Sequence, residues 1–521
     1  MNDRQRKERI PPGPSALPVA GALARNTVIS FVGQIVPLLV GLATIPYVIG
    51  GLGVDRFGVL ALTWSLLGYV GFLQLGLGPA VTKYAAEMLG RGDLAGLPRL
   101  LASSLVLSSM LGILACVVLA VAAPFLAGTL FRVPADLVPE TRTAFLLLAA
   151  ALPFVFVSGA LRGFLIAAQE FGVVTVVGFV TSSLNYLAPV AAIVWGGGLA
   201  SILLVILCAR AAGTLVLYGS CVRRFHLSIG TPRLARSDLS LLLRFGGWIS
   251  VTNATGPLLA HLERLVIAGL LSVGLLTYYA TPFEMVSRIT VLPASFALTL
   301  FPAVSFFGQG NRSLVESLFA RSLKWLLFLL LPIVVLLIAF ADLLLALWLG
   351  EEFAAKSAGL LRILAVSFFL NALAHIPLVI VQGFDRPDIK AKLDFVEVPI
   401  FAGLLLLLVR SGGLEGAALA KLFITMIDTF LLFFFAKRIL GRGSYRLSAW
   451  AARRLLPIGL AYGLIVWGGA RIVSSPGAAV ALALGMTVLY LLASWRLVMD
   501  ARDRDAVRSL RSLLIRGRVV S

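Results

Sequence analysis

Asn253, Pro257, His261 and Arg264 are spaced four, four and three residues apart, so on a helix they share one face. Thr277, Thr281, Glu284, Arg288, Ser295 and Thr299 form a second such stripe, and Asn26, Ser30, Gln34, Pro37, Gly41 and Thr44 a third. Guanidinium binds phosphate oxygens through a planar fork and stays charged when partly desolvated. Arg264 and Arg288 are therefore the residues expected to hold an anionic substrate, with His261, Asn253 and Gln34 as polar lining. Glu284 precedes Arg288 by four, the favourable order for a helical ion pair, so mutual neutralisation is the competing reading. Lys421 and Asp428, seven apart, share a face and suit either an ion pair or a coupling site. Arg210 lies in mid-span with no partner on its own helix. Arg162 and Arg362 sit near span ends, where long cationic side chains snorkel.

The elements that carry these residues are apolar. Of 521 residues, 60% are hydrophobic and 13% charged, and mean hydropathy is +0.99. A soluble domain holds about a quarter charged residues, so the surplus apolar surface must face lipid. The apolar residues fall in blocks near the roughly 20 residues that cross a bilayer. The fold class is all-α membrane protein with about 14 transmembrane helices. They fall at roughly 27–49, 58–79, 100–126, 143–167, 173–195, 198–220, 245–271, 275–307, 325–349, 358–382, 395–410, 416–436, 455–473 and 478–498. An ionisable group at the centre of such a helix costs about 2.5–3.5 kcal/mol, which is why each stripe must face a cavity or a partner.

Net charge is +20, from 44 Lys and Arg against 24 Asp and Glu. Placing the N-terminus inside puts about 32 basic residues in cytoplasmic segments and about 6 outside, so both termini are expected in the cytoplasm. The charge thus belongs to membrane topology, and no nucleic-acid partner is expected. Cys116, Cys208 and Cys221 lack metal spacing and imply no disulfide framework. The basic start (Arg4, Arg6, Lys7, Arg9) leads through Pro11 and Pro18 into an apolar block too long for a signal peptide.

The basic connection holding Arg223, Arg224, Arg233, Arg236 and Arg244 separates six spans from eight. The expected organisation is a cytoplasmic segment 1–26, an N-lobe 27–220, a linker 221–244, a C-lobe 245–436, two further helices within 437–498 and a basic tail 499–521. An internal repeat agrees: Gly53 and Phe57 match Gly274 and Tyr278, and Pro79-Ala80-Val81-Thr82 matches Pro302-Ala303-Val304-Ser305. Six spans per lobe is even, which makes the two six-helix lobes parallel repeats in a pseudo-two-fold arrangement. In the tail, Val507, Leu510 and Leu514 share a side beside Arg504, Arg508, Arg511 and Arg518, a pattern suited to an anionic leaflet.

The stretch from Asn26 to Asp93 holds Gly33, Pro46, Leu52-Gly53-Val54-Asp55-Arg56-Phe57-Gly58 and Gly76-Leu77-Gly78-Pro79-Ala80-Val81-Thr82-Lys83-Tyr84-Ala85-Ala86-Glu87. It resembles the opening of bacterial polysaccharide-biosynthesis membrane proteins, the Wzx-type lipid-linked oligosaccharide flippases. Glu263-Arg264-Leu265-Val266-Ile267, Tyr278-Tyr279-Ala280 and Leu300-Phe301-Pro302-Ala303 are similar to the family as well. The resemblance covers the first twelve spans. It implies the superfamily that also contains multidrug exporters and the lipid II flippase, with the polar stripes around a central cavity. The family often carries an acidic residue shortly before Gly-Leu-Gly; here the position is Gln74.

The function so implied is translocation of polyprenyl-diphosphate-linked oligosaccharide by alternating access, with membrane lipids and glycan-assembly proteins as partners. A multidrug exporter of the same superfamily is the first alternative, and would more often use an acidic site for organic cations. A membrane glycosyltransferase or polymerase is the second, but the largest outer loop, near Ala127 to Arg142, offers only Asp136 and Glu140 as acids. No Gly-rich phosphate loop, metal cluster or nucleophile motif appears, so neither enzyme activity nor a cofactor is expected. Topology is directly checkable. Reporter fusions after Arg224 and Arg442 should read cytoplasmic and one at Asp136 external; a cytoplasmic reading at Asp136 would overturn the orientation.

Overall fold

The computed structural model describes residues 39–73, 77–91, 93, 96–168, 170–225, 256, 258–307, 311–441, 443–472, 475–500 and 503–504. Gln34, Asn253, Gln74, the linker beyond residue 225 and the amphipathic tail beyond residue 504 lie outside them. The described chain is helical throughout: α1 Leu39–Leu52, α2 Val54–Leu73, α3 Leu77–Arg91, α4 Leu97–Phe125, α5 Val138–Ala167, α6 Phe171–Val194, α7 Leu199–Phe225 and α8 (258–270). There follow α9 Val273–Ser287, α10 Val291–Phe307, α11 Arg312–Ala339, α12 Ala341–Leu349, α13 Glu351–Gly383, α14 Pro387–Leu440, α15 Gly443–Ile472 and α16 Pro476–Leu497. Among the described residues, nine helical stretches are long and apolar enough to span a bilayer. The protein is an all-α membrane protein.

Its surface is that of a chain dissolved in lipid. Val121 on α4, Leu215 on α7, Phe430 on α14 and Leu464 on α15 are all more than 65% exposed. In water such faces would aggregate; in a bilayer they are solvated by acyl chains, and cohesion comes from close packing and polar contacts. Hydroxyl groups within the spans bond back to their own helix, as Thr63 does to the Val59 carbonyl at 2.9 Å and Ser65 to the Ala61 carbonyl at 2.9 Å.

The chain divides into compact units at Met1–Pro257 and Leu258–Ser521. In the first, α5 is the hub and packs along α4, α7 and α3. Its approach to α3 depends on Gly163, where an added Cβ would stand 2.5 Å from the Gly78 carbonyl and 3.1 Å from Thr82 Oγ1. Glu140 at the start of α5 accepts Arg56 Nε at 2.8 Å and the Leu199 amide at 2.7 Å, tying α2, α5 and α7 together.

In the second unit α13 is the hub, packed by α14, α12, α10, α11 and α9. The hubs are the fourth and tenth spans of the sequence reading. Three of those spans differ in detail. The eighth is interrupted by a 3-10 turn at Arg288–Thr290, and the ninth at Phe340. The eleventh begins at Pro387 and not at 395, so Lys390 and Asp394 are helical. Gly413, at φ +57°, turns α14 into two halves, a backbone conformation that side chains with a Cβ rarely adopt.

The last two helices dock on α11 through a shared apolar cluster that includes Leu327, Leu331, Tyr462 and Tyr490. Lys324, 4% exposed, closes that contact by pairing with Asp503 and with Asp500 at 3.4 Å.

The α3–α5 contact yields a stability test. Gly163→Ala forces the helices apart and should cost about 1–3 kcal/mol, read as a lower unfolding temperature of the purified protein in detergent. An unchanged unfolding temperature would show that the contact is looser than described.

Candidate functional site

The charged residues of the second unit assemble along α8, α9 and the two halves of α14. The α9 helix is fixed first. Ser272 caps it by accepting the Leu275 amide at 3.0 Å, and Ser357 of α13 bonds the Tyr278 carbonyl at 2.9 Å. Its far end tightens into the 3-10 turn Arg288–Thr290, where Pro293 cannot supply an amide to the preceding turn.

At that end, Glu284 accepts two guanidinium groups. Arg264 Nη2 donates to Oε1 at 2.8 Å and Arg288 Nη2 to Oε2 at 2.9 Å. The two arginines differ in access: the Arg264 side chain is 2% exposed and the Arg288 side chain 27%. Arg264 also lies over the Phe283 ring, 4.6 Å from its centroid. The aromatic face offers a second source of negative potential in a place that water does not reach. With two cations on one carboxylate, the group carries a net charge of +1, and Arg288 is its accessible cation.

A second pair lies beneath. Lys421, on the second half of α14, stands 3.5 Å from Glu263 Oε1 and donates to the Leu259 carbonyl at 2.5 Å. Glu263 is fully buried. Unpaired, such a carboxylate would be very costly, so this contact pins α8 to α14. Arg264, Lys421 and Glu284 all act electrostatically on His261, one turn from Arg264 on α8.

A third group lies farther along α14. Lys390 Nζ reaches Asp394 at 2.7 Å, Asp428 at 2.6 Å and Glu397 at 3.8 Å. The hairpin at Gly413 brings Lys390 and Asp428 together across 38 residues of sequence.

The expected site residues therefore separate into distinct settings. Arg264, Arg288, Glu284 and His261 come together. Lys421 and Asp428 share a helical face but pair with different partners, Glu263 and Lys390. The stripe on the eighth span largely satisfies itself: Thr277 and Thr281 are buried, Thr281 Oγ1 bonds the Thr277 carbonyl at 2.9 Å, and Ser295 bonds the Val291 carbonyl at 2.9 Å. On the first span, Thr44 bonds the Val40 carbonyl at 2.8 Å and Gly41 lies against the Tyr186 ring.

Arg210 belongs to the first unit, where Arg162 acts on it electrostatically; its Nε is buried with no hydrogen-bond partner among the described residues. Arg362 pairs with Asp342 and bonds the Ile338 carbonyl at 3.3 Å, so it is anchored at its span end by a partner.

Sequence reasoning missed the roles of Glu263, Lys390, Asp394 and Glu397. The last three stand at i, i+4 and i+7, a helical spacing that was readable but was assigned largely to a loop. Among the described residues no group of three or more His, Cys, Asp or Glu has the arrangement of a metal site.

Comparison with known proteins identifies the fold and the family. A candidate O-antigen transporter from Shigella flexneri is 25% identical over 417 residues, covering 79% of this chain and 97% of that protein. The inward-facing structure of a multidrug resistance MATE family transporter of the MOP superfamily superposes with a TM-score of 0.66 at 17% identity, covering 82% of this chain and 99% of that one. The lipid II flippase MurJ in an inward closed conformation gives a TM-score of 0.62 at 14% identity, covering 90% and 99%. At these identities the structural likeness establishes the fold. The polysaccharide biosynthesis protein family matches residues 52–358, more than half of the chain, and the chain belongs to that family.

Proposed function

We propose that this protein is a flippase that carries polyprenyl-diphosphate-linked oligosaccharide across the bacterial cytoplasmic membrane by alternating access, with both termini in the cytoplasm. The observation that carries the reading is the group formed by Arg264, Glu284 and Arg288. It has a net positive charge, and its accessible cation is a guanidinium held in place by a carboxylate. A diphosphate crossing a bilayer needs its charge compensated at depth while its polyprenyl tail stays in lipid. A pre-oriented arginine does this with little loss of side-chain freedom on binding. Arg288 is the substrate contact in this account, Arg264 the buried residue that keeps Glu284 from neutralising it fully, and His261 part of the same surface.

The names of the relatives support the same class, since one is a candidate O-antigen transporter and another a lipid II flippase. Multidrug export fits the fold equally well but not the site, because an organic cation would meet a net positive group. A glycosyltransferase would need free carboxylates on the outer face, and Glu140 is committed to Arg56 and the Leu199 amide.

The test is complementation of glycan export in a strain lacking the protein. Arg288→Ala should insert normally and abolish export, and Arg288→Lys should retain only part of it, because an ammonium keeps the charge and loses the fork. Arg264→Ala should lose export and also lower the unfolding temperature, since Glu284 then keeps a single partner. Full export by the double variant Glu284→Gln, Arg288→Gln would show that Arg288 only neutralises Glu284 and would remove it from the substrate site.

A further inference from the structure

Gly403, Leu406, Leu407, Arg410 and Ser411 line an open groove of about 470 Å³ on the first half of α14. They recur at three- and four-residue steps, so they share one side of the helix. Gly403 makes the notch: a Cβ added there would meet nothing within 4 Å. Leu406 and Leu407, 44% and 67% exposed, form its apolar wall. The volume lies in the roughly 300–1,000 Å³ range of sites that hold small molecules.

Arg410 stands at the head of this groove, just before the turn at Gly413. At 1.5 Å per residue it lies roughly 34 Å along the helix from Pro387, close to the roughly 30 Å of a bilayer's hydrocarbon core. Its guanidinium is therefore at the membrane boundary. It is exposed, and it has no hydrogen bond or ion pair among the described residues. The neighbouring acid in the chain, Glu415, is turned toward α13, where its Oε1 lies 3.3 Å from the place of a Cβ on Gly359. Ser411 donates its hydroxyl to the Leu407 carbonyl at 3.1 Å, which leaves Arg410 as the donor at this end.

An apolar notch with one cation at the membrane boundary is the complement of an amphiphile with an anionic head. An acyl chain fills the notch, and a phosphate meets the guanidinium fork. A zwitterionic head would bring an ammonium that Arg410 repels; a head with net negative charge brings none. A protein segment would have to present an acid on a lipid-facing surface, at the cost that ionisable groups carry there.

We propose that this groove binds one anionic phospholipid of the bilayer, with an acyl chain against Gly403 and the phosphate on Arg410. With both termini in the cytoplasm, the lipid belongs to the outer leaflet. The site is separate from Arg264, Glu284 and Arg288, and the inference does not depend on which substrate is carried.

Native mass spectrometry of the purified full-length protein, equilibrated with phosphatidylglycerol and phosphatidylcholine of matched chain length, tests it. Wild type should retain phosphatidylglycerol in preference, and its tightest binding should weaken at least about fivefold in Arg410→Ala. Arg410→Lys should keep part of the preference, because the charge stays and the fork is lost. Gly403→Leu, which fills the notch without meeting another part of the chain, should fold normally and weaken retention of both lipids at this site. Arg471→Ala is the control for a basic residue at another helix end: Arg471 is exposed on α15, 3.8 Å over the Trp467 ring, and its loss should leave the preference intact. Equal retention of the two lipids by wild type, unchanged phosphatidylglycerol binding in Arg410→Ala or in Gly403→Leu, or loss of the preference in Arg471→Ala would overturn the proposal. So would retention of polyprenyl phosphate in place of phosphatidylglycerol, which would give the groove to a different lipid.

Discussion

A carboxylate taken into a bilayer must find a cation, and in the second unit that requirement organises the helices. Glu263, fully buried, has Lys421; Glu284 has Arg264 and Arg288; Asp428 has Lys390. All but the local Glu284–Arg288 pair join residues far apart in sequence, so those are tertiary constraints as well as electrostatic ones. Removing one member of such a pair costs about 3–5 kcal/mol, far more than an exposed pair contributes. Between lipid-facing helices there is no hydrophobic drive to association. Polar pairs and close packing, such as Gly163 against the Gly78 carbonyl, therefore carry a larger part of the specificity of assembly than they would in water.

The groups are not simple one-to-one pairs. Glu284 holds two arginines, of which Arg288 is the more exposed. Lys390 is shared by Asp394, Asp428 and Glu397 at a site almost closed to solvent. The Glu284 and Lys390 groups differ in access, and an accessible guanidinium fixed by a carboxylate suits an anionic group. The two lie on the same unit and are connected through α14, which carries Lys421 between them.

Much of this was legible in the sequence. The fold class, the bilayer-length blocks and the family followed from composition, block length and the residues around Leu52–Gly58 and Gly76–Glu87. The Glu284–Arg288 pair was readable because it is local, at i and i+4. Arg264 to Glu284, 20 residues apart, and Lys390 to Asp428, 38 apart, were not, because helical periodicity says which face a residue occupies and not which helix that face meets. The start of the eleventh span was misplaced for a related reason. A run holding Lys390, Asp394 and Glu397 is polar enough to look like a loop, and only their pairing across the Gly413 hairpin makes it tolerable within a helix.

The most direct measurement of the central claim is translocation itself, with the purified protein in lipid vesicles and a fluorescent polyprenyl-diphosphate glycan accessible to quencher on one leaflet. Wild-type protein should bring about half of the probe to the opposite leaflet much faster than empty vesicles do, and Arg288→Ala should match the empty vesicles. Vesicles that transport an organic cation but leave the diphosphate glycan on its original leaflet would contradict the account.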